Sequence, residues 1–139
     1  MSVIRQVRDD LREAIAALPY VTTSGAAVTA VWVPNVERIT EGPLRLIVAP
    51  SERVATAEGR GVTSNTLTCD VGIMGALVAG QEDDQAEELQ LMCDALIDGI
   101  LTKVVGNRRC VSAEQMMVVS VDHWRTLRMV ASFVQFTLR

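Results

Sequence analysis

His123 is the only imidazole in the chain, and it stands between Asp122 and Trp124. Such a ring acts as a general base only with an acid or a nucleophile in hydrogen-bond reach. No serine or cysteine motif points to that partner, so His123 reads as a solvated turn residue. Cys69, Cys93 and Cys110 are scattered thiols without Cys-x-x-Cys spacing, and with one histidine they cannot build the common transition-metal sites. Cys69 and Cys93 fall on apolar stripes and are expected to be buried hydrophobes. Cys110 follows Arg108 and Arg109, whose charges could lower its pKa. Glycines occur as Gly59-Arg60-Gly61 and at Gly72, Gly75 and Gly80, but neither group forms a phosphate-cradling GxGxxG or a Walker loop. No catalytic residue, no metal and no cofactor are expected.

The remaining chemistry is ionic. Glu82, Asp83, Asp84, Glu87 and Glu88, continued by Asp94 and Asp98, put seven acids and no base on one helical segment, more than helix capping requires. They form either a solvated face or a docking surface for arginines. The chain carries candidates in Arg53 and Arg60, interspersed with Glu52 and Glu58, and in Arg108 and Arg109. Twelve of the thirteen basic residues are arginine, which suits bidentate contacts to carboxylates or reflects a GC-rich genome. Self-association would let one copy's arginines meet the next copy's acids.

These residues need a scaffold, and 139 residues supply one domain's worth. With 49% hydrophobic residues, the chain has apolar side chains enough for a sizeable core. A net charge of −4 disfavours binding nucleic acid by bulk charge. Charges at Arg5, Arg8, Asp9, Asp10, Arg12 and Glu13 interrupt any signal-peptide core, and no apolar window reaches the roughly 20 residues that span a bilayer. A cytosolic site of synthesis and no membrane partner are expected.

Apolar residues at three- and four-residue steps predict an amphipathic helix over 3–18, capped by Ser2 and ended by Pro19. After a turn-rich 22–26, the run 28–33 reads as a strand ended by Pro34 and Asn35, and 44–48 as the next. Residues 51–65, polar and glycine-bearing, are expected to be a long flexible loop, since about fifteen residues exceeds an ordinary hairpin turn. Alternation over 66–74 gives a strand antiparallel to 44–48. A single stripe predicts a helix over 81–105, left through Gly106 and Asn107. Strands over 116–121 and 127–138 close a hairpin around 122–126. The last strand is apolar on both faces and, at a sheet edge, would need burial or a partner copy to cover it. The sum is one α+β domain: a mostly antiparallel sheet, two amphipathic helices on one face, and a C-terminal β-hairpin.

This order, with a strand ending in Trp32-Val33-Pro34, strands on either side of a charged loop, and a last hairpin ending in Ser132-Phe133-Val134-Gln135-Phe136-Thr137, resembles the tail-terminator and neck proteins of long-tailed bacteriophages. The resemblance spans nearly the whole chain and rests on element order, size and that hairpin. It implies a non-enzymatic virion protein of the tail or neck, present in the host cytoplasm during assembly. Such a protein caps the tail tube as a homo-oligomeric ring, commonly a hexamer, and joins it to the head through a neck or connector protein. It implies no catalytic residues and no direct sequence-specific nucleic-acid contact. On that reading Glu52, Arg53, Glu58 and Arg60 face the tube or the lumen, and the acidic helix and arginines join neighbours. A head–tail connector or head-completion protein would share this organisation. The alternatives from other classes are a small cytosolic enzyme or ligand-binding domain with a pocket under the long loop, and an adaptor that takes a peptide along its last strand.

Overall fold

The computed structural model describes residues 2–34, 39, 42–120 and 123–139. Asn35, Val121 and Asp122, which bound expected strands or the expected turn, lie outside the described residues.

Helix α1 (Val3–Ala16) begins as the sequence predicts, with the Ser2 hydroxyl accepting from the Arg5 N–H at 3.1 Å. Val7, Leu11 and Ile15 lie four residues apart and are buried on one stripe. Pro19 does not simply end it. It opens a second, short helix, α2 (Pro19–Ser24), where the expected turn lies, because a missing N–H costs nothing in a first turn; Gly25 ends α2 at φ 74°.

Strand β1 (Ala27–Ala30) runs parallel to β2 (Arg45–Ala57), from Ala27 opposite Arg45 to Ala30 opposite Val48. Trp32 and Val33, expected in that strand, lie beyond it and are exposed. β2 pairs antiparallel with β3 (Thr63–Ala76) out to Ala57 opposite Thr63. The expected loop over 51–65 is thus corrected to a strand hairpin whose turn occupies only 58–62, closed by Glu58 N–H donating to the Val62 oxygen at 2.9 Å. Its polarity marks a ribbon wet on both faces, while Val54, Thr56, Thr63 and Thr66 suit extended backbone. Gly59 at φ 136° and Gly61 at φ 69° make the reversal possible.

Helix α3 (Glu82–Ile100) stops short of the expected residue 105. Thr102, at φ 68°, turns the chain into a two-residue strand β4 (Val104–Val105). Gly106 and Asn107, expected as the helix exit, form instead the turn into β5 (Arg108–Met117). A π-helical turn (His123–Leu127) leads to β6 (Met129–Leu138).

Among the described residues six strands lie in the order β1-β2-β3-β6-β5-β4, and of their pairs only β1–β2 is parallel. β6 is therefore central, paired with β3 from Leu67–Leu138 to Ala76–Met129 and with β5 on its other side. The edge position that would have demanded a partner for β6 does not exist. Its two apolar faces serve two clusters instead. Val130, Val134 and Phe136 join Leu46, Val71 and Ile73 beneath α1 and α3. Met129 and Ala131 pack with Ile39, Met74 and Ala76 on the opposite face. The architecture is the expected α+β one, an antiparallel-dominated sheet with its two long helices on one face and a β5–β6 hairpin, with α2 added. Among the described residues no helix is long and apolar enough to cross a membrane.

Candidate functional site

The charged residues singled out in the sequence fall at two places. Glu52 and Arg53 lie on the β2 side of the 51–66 hairpin, Glu58 at its turn and Arg60 within it, all exposed. The Arg53 guanidinium donates twice to Asn65 Oδ1, at 3.0 and 2.9 Å, and the Ser64 hydroxyl donates to Glu58 Oε1 at 3.0 Å. Arg108, at the start of β5, donates to the Asn65 main-chain oxygen at 3.0 Å, which brings it to the root of the same hairpin. Arg109 turns away and donates to the Thr102 oxygen at 3.3 Å.

Glu82, Asp83, Asp84, Glu87 and Glu88 occupy the first two turns of α3, at the other end of the sheet, where Gln85 ties the helix to the end of β3 through the Val78 N–H and the Ala76 oxygen. Twelve residues of helix, from Glu88 to Ile100, separate them from the arginine end, a span of about 18 Å at 1.5 Å per residue. These acids and the arginines of the hairpin end are thus not brought together within one copy. The only ion pairs among the described residues are Arg5–Asp9 and Arg8–Asp9 in α1. Glu82 is held below the usual carboxylate range by its own backbone N–H and that of Gly80, with Arg128 adding a smaller attraction.

A polar ladder fixes the side of α3. Gln90 and Gln115 of β5 exchange hydrogen bonds at 3.1 and 2.9 Å, and Gln115 donates to Ser132 Oγ at 3.0 Å. Asp83, Glu87 and Asp94 stand seven, three and four residues from Gln90 and are exposed, so they share its flank over β5. Gln90 also donates to Asp94 Oδ1 at 2.9 Å.

The chemically reactive types are placed otherwise than for catalysis. The three thiols are free and buried. Burial pushes Cys69 up to about 12 and raises Cys93 and Cys110 as well. The lowering considered for Cys110 is overturned, because Arg108 and Arg109 spend their guanidiniums on main-chain oxygens rather than on the sulfur. Sequence reading missed one contact: Ser120 Oγ lies 2.7 Å from His123 Nδ1. The pair is three residues apart, and a serine before a turn is too common a signal to have found it. Ser120 is buried and closes the turn, its N–H donating to the Ala131 oxygen and its own oxygen accepting from Trp124. This is the bonding of a structural turn.

A polar cleft of about 510 Å³ lies beside the hairpin root, lined in part by Thr56, Glu58, Asn65, Arg108 and Arg139. Among the described residues no buried side-chain nitrogen or oxygen lacks a hydrogen-bond partner, so no enclosed polar group is left for a ligand to satisfy. Nor do the described residues contain a cluster of three or more metal-ligating side chains.

No protein-family model and no curated protein matches the chain. Among solved structures, the chain is similar in fold to a chain from the virion of a native gene transfer agent particle. The match covers 100% of this chain and 98% of that one, at a TM-score of 0.51 and 14% identity. What the two chains share, end to end, is an architecture.

Proposed function

We propose that this chain is a structural protein of a phage-like virion, of the tail-terminator or neck type, that works by assembling rather than by catalysis. The end-to-end likeness to a virion chain of nearly equal length carries this reading. In the reading, copies close into a homo-oligomeric ring, hexameric in the tail-terminator case, which caps the tail tube and presents a surface to a neck or connector protein. A ring repeats one heterologous contact and needs two different, complementary patches on each copy. The acidic end of α3 and the arginines at the hairpin end meet that requirement, since neither has an ion-pair partner within its own copy among the described residues. The competing reading, a pocket under a long loop, loses its lid because most of 51–65 is strand.

Light scattering of the purified protein over a range of concentrations and salt, with electron microscopy of the same samples, tests the proposal. A concentration-dependent species near six times 15.1 kDa that weakens with salt, and annular particles, are the expected result. A monomer under every condition, also when tail tubes are added, would overturn it.

A further inference from the structure

β2 outruns its neighbours. β1 accompanies it only from Arg45 to Val48, with one further bond from the Val31 N–H to the Val48 oxygen, and on the far side β6 leaves β3 at Leu67. From Glu52 to Ala57 the arm is therefore two strands wide, exposed throughout β2, and in unbroken register with β3. Its outer backbone edge has no partner among the described residues. A two-stranded ribbon is marginal alone in water, and an open edge is a template for another strand.

The opposite margin of the sheet is open too. β4 covers β5 only at Arg108 and Arg109, and Cys110 closes the ladder through Lys103 and Thr102. From Val111 on, the outer edge of β5 has no backbone partner among the described residues. Register breaks bracket Ser112–Gln115, which leaves four residues in regular pairing with β6 and a regular stretch on the free side.

Charge distinguishes the occupant. Arg53 pairs in register with Leu67, so it points to the helix side of the sheet. On that same side Asp83, Glu87 and Asp94 overhang the open edge of β5, as the Gln90–Gln115 bonds fix. We infer that the β2 arm of one copy adds as a strand to the β5 edge of a second copy, with Arg53 against the Asp83, Glu87 and Asp94 flank. Both halves of the contact are on this chain, at opposite margins of one sheet, which makes the contact heterologous. The inference rests on the ring reading above and supplies its interface.

The test uses two full-length variants, Arg53→Glu on the arm and Glu87→Arg with Asp94→Arg on the flank. All three positions are exposed, and circular dichroism checks that each variant folds. Each variant alone brings like charges together and should need a concentration at least about tenfold higher to assemble. Mixed in equal amounts they can alternate, each junction pairing reversed with reversed or native with native, and assembly should return to the native midpoint. Hydrogen exchange should slow at residues 52–57 and 111–115 in the assembled form. Native-like assembly of either variant alone, a mixture no better than its components, or unprotected edges in the assembled protein would overturn the arm contact while leaving the ring reading standing. A native chain that never assembles would bring down both.

Discussion

The Arg108 guanidinium reaches across the sheet margin to the main-chain oxygen of Asn65, at 3.0 Å, while Arg53 holds the side-chain oxygen of the same asparagine from the other strand. Asn65 is thus a clasp at the root of the arm: one bond from β5 fixes its angle to the body, and two from β2 stiffen the ribbon.

Arg108→Ala should loosen the arm without unfolding the body. A hydrogen bond from a charged donor contributes about 1.5–3 kcal/mol, and half-exposure puts this one at the lower end. Amide exchange over 52–57 and 63–66 should accelerate while the melting temperature moves little. An unchanged exchange profile would remove Arg108 from the clasp.

Two glycines with left-handed backbone allow strain and crowding to be separated. Gly80 at φ 84° has open space where a Cβ would stand, whereas at Gly106, φ 62°, the Asp10 carboxylate of α1 occupies that space. Gly80→Ala should cost about 1–2 kcal/mol for left-handed backbone alone. Gly106→Ala should cost more, since the Asp10 side chain must swing off the β4–β5 turn and give up its bond from Gln6; chemical denaturation of the two variants reads the difference.

Leu11 is fully buried beneath α1, and Leu11→Ala should destabilise by about 2–5 kcal/mol. Leu91, 46% exposed on α3, is the control: Leu91→Ala should stay within about 0.5 kcal/mol of the native midpoint in urea.

Titration should act at both ends of the pH scale. Glu82 is held below its ordinary value, so its carboxylate favours the folded state. That stabilisation is present above pH 4.5 and lost as pH falls through the depressed folded value. Glu82→Gln should flatten the acid limb of a stability profile. Cys69 is raised from 9.0 to about 12, so the folded state favours its neutral thiol and loses this stabilisation as pH rises from 9 towards 12. At pH 8 a thiol reagent should label Cys69 no faster than the protein unfolds.

Elements that bury a stripe were legible in the sequence. The α1 stripe, its Ser2 cap and the alternation of β3 all reflect a periodic demand that a core makes on its residues. Elements that bury nothing were not. The arm over 51–57 and 63–66 carries no apolar alternation because neither of its faces meets the core, so only its β-branched residues hinted at strand. The end of α3 was misplaced because Val104 and Val105 continue the apolar run, and whether such residues stay helical depends on the pairing β5 offers. The central place of β6 follows from which strands it meets, a non-local fact; two apolar faces were its trace. At the candidate surfaces, residue types were readable, but their separation to opposite ends, and the flank that Asp83, Glu87 and Asp94 share, needed the fold.

The position of β6 also orders events in time. Synthesis delivers β1, β2 and β3 long before residues 129–138 exist, so the inner edge of β3 must wait, unpaired, while more than fifty residues are added. Pairing across such separations is slow to nucleate and leaves apolar strand exposed meanwhile. α1 can cover one face of the nascent sheet early, but α3 meets the strand it packs on most only when β6 arrives. The N-terminal half of the chain, made alone, is a hairpin in search of its middle strand.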